Sequence, residues 1–161
     1  MSDTTPQQAI IERAQGHIDA YHSLPHPAEP GALWELRRNL TVERFALSRT
    51  VKAGYVAKAY AYVLRKYAVA KEIASALDAD KRDKDRKPRP MNQLEVQTEA
   101  LDFVLRAKKE QVEAEAQYEE VIEVLKSMDK ILFALSQEID DFLRERQYQR
   151  NTEPVQTNDP R

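Results

Sequence analysis

The sequence has no cysteine and only three glycines, Gly16, Gly31 and Gly54. Without thiols there is neither a disulfide nor a thiolate metal site, and a reducing compartment, the cytoplasm, is the natural reading. Three isolated glycines exclude the phosphate cradles that need several neighbouring amides unobstructed by a Cβ. Long apolar runs are missing too. Ile131–Leu135 is among the longest, far below the roughly 20 residues that cross a bilayer, so no membrane partner is expected. The opening segment Met1–Gln8 is polar and lacks a basic-then-apolar leader pattern.

Charge is what the chain has in abundance. Of its 161 residues, 32% are Asp, Glu, Lys or Arg, and the mean hydropathy is negative. Apolar residues in such a chain form narrow stripes, the composition of coiled coils and long bundles. The length suits one domain.

The pattern along the chain predicts an all-α fold: a short N-terminal helix, then one long antiparallel helical hairpin. Thr5-Pro6 caps and starts a helix within residues 1–22, with Ile10, Ala14, Ile18 and Tyr21 at helical spacing. Pro25, Pro27 and Pro30 make residues 23–31 a stiff linker. The hairpin occupies residues 32–148, with one helix over 32–79, a charged turn over 80–91 and a second helix over 92–148. The proline-broken tail, 149–161, is expected to be disordered.

In the first hairpin helix Leu33, Leu40 and Leu47 repeat by seven, and so do Val56, Val63, Ala70 and Leu77. The two series are offset near Gly54, which reads as an irregularity in one packing seam. Asn92, with Glu95 three residues on, reads as the capping box of the second helix. That helix carries the most regular pattern: Tyr118, Leu125, Leu132 and Ile139 repeat by seven, interleaved with Val121, Met128, Leu135 and Phe142. Eight apolar residues in unbroken a/d register mark a knobs-into-holes seam. Phe45, Phe103, Ile122 and Phe133 lie beside the seams and call for a cover, for which a second copy is the simplest candidate. A homo-oligomer is therefore expected.

Charge divides between the two helices. From Leu33 to Leu77 nine bases accompany three acids, whereas Gln93–Tyr148 holds fourteen acids and seven bases. Flanking charges of opposite sign select an antiparallel partner, and folding near residue 86 sets Lys52 and Lys58 opposite Glu113–Glu120. The turn, with Lys81, Arg82, Lys84, Arg86, Lys87 and Arg89, carries an excess of bases that this pairing does not use.

Four tyrosines, Tyr55, Tyr60, Tyr62 and Tyr67, interleave with Lys52, Lys58, Arg65 and Lys66. With Val56 and Val63 as seam positions, Tyr55 and Tyr62 share a ridge with Lys58 and Arg65. Rings beside cations suit single-stranded nucleic acid, whose bases stack while its phosphates meet positive charge. Lys52, Tyr55, Lys58, Tyr62, Arg65 and Lys66 are the candidate contacts. The same tyrosines would also serve to roof the seam with their hydroxyls in water.

Catalytic and metal chemistry find no support in the sequence. His22 and His26 have the spacing of a helical ligand pair, but Pro25 interrupts the helix they need. No nucleophile stands in a suitable setting, so neither an enzyme nor a cofactor is expected.

The segments LRRNLTVERFALSRTVKAGYVAKAYAYVLRKYAVAKE and LRAKKEQVEAEAQYEEVIEVLKSMDKILFALSQEI carry a resemblance over residues 33–145. Their layout resembles small all-helical accessory proteins of bacteriophage recombination systems, of the recombination-mediator type. The resemblance implies a non-catalytic oligomer in the host cytoplasm that binds single-stranded DNA and helps load a recombinase. This chain departs from that layout in its proline-linked N-terminal helix and longer turn. Two readings follow: an oligomeric single-strand-binding accessory protein, or a coiled-coil scaffold whose charges only pair its own helices.

Overall fold

A computed structural model of the chain describes residues 5–25, 27–82, 87 and 89–152. All regular structure among them is helical: α1 (Pro6–His22), α2 (Pro30–Arg82), α3 (Met91–Glu99) and α4 (Asp102–Thr152). The fold is all-α, and its long helices α2 and α4 pack against each other. Among the described residues no helix is long and apolar enough to cross a membrane. The chain divides into two compact units, Met1–Ser48 with Glu123–Arg161, and Arg49–Ile122.

The first unit is a three-helix arrangement. Thr5 Oγ1 accepts from the Gln8 N–H at 3.2 Å and Pro6 fills the first turn, so α1 starts where the sequence puts it. Its Ile11, Ala14 and Ile18 are buried with Leu33, Leu36, Leu40 and Leu47 of α2 and Met128, Ile131, Leu135 and Ile139 of α4. Polar contacts bind α1 to both partners: Arg13 to Glu43 at 2.8 Å, and the Tyr21 hydroxyl to Glu138 at 2.9 Å. Arg44 pairs with Asp129 across α2 and α4. Alone, an amphipathic helix of 17 residues would be marginal; here it is an integral wall of the core.

The second unit holds the rest of α2 and α4 with α3. Lys58 meets Glu119 and Arg65 meets Gln111, so numbers fall along α4 as they rise along α2, and the helices run antiparallel. The expected helix over 92–148 is not continuous. It breaks at Ala100–Leu101, where the Leu101 N–H bonds back to the Thr98 carbonyl. Glu99 then reaches both Arg65 and Lys108. In an unbroken helix residues 99 and 108 would lie about 13 Å apart on opposite faces, so the chain bends at the break.

Other boundaries move as well. Pro90, not Asn92, occupies the cap position of α3, and Asn92 Oδ1 instead accepts from the next N–H, of Gln93. The linker ends at Glu29, because Pro30 already fills the first position of α2, where its missing N–H costs nothing. Helix α2 continues to Arg82, and α4 continues through residues 149–152 of the expected tail. The rest of that tail, His26, and Lys84 and Arg86 of the turn lie outside the described residues.

The main correction concerns the inner face of α2 in the second unit. Val56 and Val63, read as seam residues, are 56% and 58% exposed. The residues turned inward are Val51, Lys58, Arg65 and Glu72, spaced by seven, with Gly54, Ala61 and Ala68 between them. Tyr118 explains the choice. A Cβ on Gly54 would stand 3.4 Å from Tyr118 Cδ2, so the ring lies where α2 offers its smallest side chain. At this point a large residue on α4 is matched by glycine on α2, with Ala61 and Ala68 on the same side, while Val56 and Val63 turn outward.

Candidate nucleic-acid interface

The candidate residues lie on α2 within the second unit, but they do not share one face. Tyr55 and Tyr62 are exposed, as are Lys52 and Lys66. Turning about 100° per residue, Tyr55, Tyr62 and Lys66 fall within roughly 40° of arc, with Lys52 about 40° further round. The Lys66 ammonium stands 5.8 Å from the centre of the Tyr62 ring, a cation–π contact at the surface.

Lys58 and Arg65 point into the seam instead. Lys58 Nζ lies 3.7 Å from Glu119 and 5.4 Å from the Tyr118 ring centre. Arg65 donates to Glu99 at 2.8 Å and to Gln111 at 3.3 Å, and Gln111 donates onward to Glu115 at 3.0 Å. Both cations are spent on the helices that pack against α2, as flanking charges in an antiparallel pair are. The ridge left for an external anion is Lys52, Tyr55, Tyr62 and Lys66.

Tyr118 joins this ridge from the other helix. Its ring meets that of Tyr55 edge-on, with centres 6.1 Å apart and planes at 62°. In sequence it reads only as a seam residue, because nothing local tells which α2 side chain an antiparallel register will bring to it. Lys71 is also exposed and without an ion pair among the described residues, but it stands about 160° round α2 from Tyr55, on another side of the helix. From Arg49 to Leu77 the one acid is Glu72, and it lies on the inward side.

The eight residues of the α4 pattern occupy its inner side: Val121, Met128, Leu135 and Ile139 are buried, and Tyr118, Leu125, Leu132 and Phe142 are half-buried. Phe45, Phe103 and Phe133 are exposed. In the turn, Arg89 is held by Asp80, which accepts from its backbone N–H at 3.1 Å and its Nη2 at 2.9 Å. That carboxylate holds the Arg89 guanidinium above its ordinary pKa, chiefly by hydrogen bonding. Among the described residues no three His, Cys, Asp or Glu side chains gather as metal ligands would.

Comparison with protein-family models, with curated proteins and with solved structures gives no match.

Proposed function

We propose that this chain is a non-enzymatic accessory protein that binds single-stranded nucleic acid along Lys52, Tyr55, Tyr62 and Lys66 of α2. Its resemblance to phage recombination mediators makes single-stranded DNA in recombination or replication the natural setting. One observation carries the reading. Exposed rings stand beside exposed ammonium groups on a face of α2 that itself bears no acid, while Glu95 and Glu99 of α3 line a pocket with Lys66. Bases stack on any aromatic face without regard to sequence, and lysines follow the backbone. The first test is fluorescence anisotropy with a short labelled single strand, at low and at high salt, with duplex as competitor. Binding should favour the single strand and weaken steeply with salt. No binding at low salt overturns the proposal.

The scaffold reading has its own support. Lys58 and Arg65 serve the packing of the second unit, and the outward stripe of α2 is apolar enough to seat another helix.

A further inference from the structure

In the first unit, the face of α2 turned away from the core carries rings and guanidinium groups of its own. At about 100° per residue, Trp34, Arg38 and Phe45 fall within roughly 40° of arc, on the side opposite Leu36, Leu40 and Leu47. Trp34 is the single tryptophan of the chain and is 48% exposed, and Phe45 is 60% exposed. The two stand eleven residues apart, roughly 16 Å along the helix axis.

Arg37 stands over the indole, its guanidinium carbon 5.7 Å from the ring centre, a cation–π contact that leaves N–H groups for an anion. Neither Arg37 nor Arg38 has an ion pair among the described residues. From Pro30 to Ser48 the third base, Arg44, is held by Asp129, and of the two acids Glu43 is held by Arg13. The other acid, Glu35, lies about 60° beyond Arg38. It shares an open cavity of about 730 Å³ with Trp34, Arg37, Arg38, Thr41 and Val42. Two unpaired guanidinium groups thus outnumber one carboxylate, which stands at the edge of the face.

We propose that this face is a second stacking platform for single-stranded nucleic acid, with bases on Trp34 and Phe45 and phosphates on Arg37 and Arg38. The inference rests on the single-strand reading but on none of its residues. Trp34 belongs to the first unit, and the ridge from Lys52 to Lys66 belongs to the second. The chemistry favours this occupant over an acidic protein segment. Carboxylates would satisfy the two arginines and leave both rings uncovered, whereas a strand brings a π face and an anion in every nucleotide. Guanidinium groups suit phosphate in particular, because their planar fork meets two of its oxygens at once.

Because the chain has no other tryptophan, Trp34 emission reports on this face alone. A labelled oligothymidylate is titrated into the full chain at low salt. Anisotropy of the label and emission of Trp34, excited beyond tyrosine absorption, are read together. Emission should fall in step with the rise in anisotropy and level off with it. Trp34→Ala, with helicity checked by circular dichroism, should weaken binding roughly 5- to 100-fold at nearly unchanged salt slope. Trp34→Phe should recover most of that loss. Arg38→Gln should keep the quenching at saturation and flatten the slope of log affinity against log salt by about 0.7. Binding by anisotropy with steady Trp34 emission overturns this proposal and leaves the single-strand reading standing, as does wild-type affinity in Trp34→Ala. Quenching by polyglutamate as strong as by the oligonucleotide also overturns it, and assigns the face to an acidic protein. No change in anisotropy overturns both readings together.

Discussion

Arg65 donates to Glu99 at 2.8 Å across 34 residues of sequence. Glu99 ends α3, one residue before the break, and its other carboxylate oxygen lies 3.9 Å from Lys108 of α4. Arg65 therefore ties α2 to the bend between α3 and α4. Arg65→Gln should destabilise the chain by about 1 kcal/mol, the upper end for a partly exposed pair, as read by urea denaturation. Nucleic-acid affinity should barely move, because this guanidinium already has protein partners. A large loss of binding at unchanged stability would return Arg65 to the ridge.

Core and surface positions on α2 offer a sharper contrast. Leu40 is fully buried and Val63 is exposed, although both belong to seven-residue series in the sequence. Leu40→Ala should cost about 2–5 kcal/mol, through lost transfer energy and the cavity left behind. Val63→Ala should stay within roughly 0.5 kcal/mol at concentrations where the chain is monomeric. Equal losses at the two sites would restore Val63 to the intramolecular core.

This contrast shows what the sequence disclosed. Where leucine or methionine recurs by seven, as with Leu33, Leu40 and Leu47 or with Met128 and Leu135, periodicity finds the inner face. Between Val51 and Ala74 two stripes compete, and apolarity selects the wrong one. The inner stripe is recognisable only once Tyr118 is known to lie over Gly54. The break at Ala100–Leu101 is equally hidden: no proline or glycine marks it, and the interactions that hold the bend are tertiary. The ridge was legible in composition, because tyrosine and lysine alternate. Which cations it keeps was not, because that depends on the acids of another element.

Gly54 tests the small-against-large packing. Glycine inside a helix costs about 1 kcal/mol relative to alanine, and a Cβ here would make an ordinary contact 3.4 Å from Tyr118. Gly54→Ala should therefore stabilise the chain by about 0.5–1 kcal/mol in thermal melts. Gly54→Leu should destabilise it, since the larger side chain has to displace the ring.

The Tyr21 hydroxyl gives the first unit a dependence on alkaline pH. Burial, with the hydrogen bond to Glu138 and that residue's charge, raises its pKa above the ordinary value of about 10. The folded state thus holds the proton more tightly than the unfolded one. The resulting stabilisation is complete below about pH 10 and is lost as pH rises through the raised value. Tyr21→Phe should cost about 1 kcal/mol at neutral pH and flatten the alkaline fall of the melting temperature. If the fall is unchanged in Tyr21→Phe, another group controls it.

The ridge itself makes two contributions that one surface can report separately. Tyr55 and Tyr62 would supply stacking, which does not release counterions, whereas Lys52 and Lys66 would meet phosphates, which does. Changing both tyrosines to alanine should weaken single-strand binding by about 1–3 kcal/mol for each stack removed and leave the salt slope nearly unchanged. Changing both lysines to glutamine should flatten the plot of log affinity against log salt by about 0.7 for each phosphate no longer neutralised. All four side chains are exposed, so neither pair should disturb the helices, and circular dichroism checks this. Tyr55 also touches the Tyr118 ring, so Tyr62→Ala alone separates stacking from any effect at that edge-on pair. General destabilisation would lower both double variants alike. Distinct signatures, one in affinity at constant slope and one in slope, assign the tyrosines to bases and the lysines to phosphates.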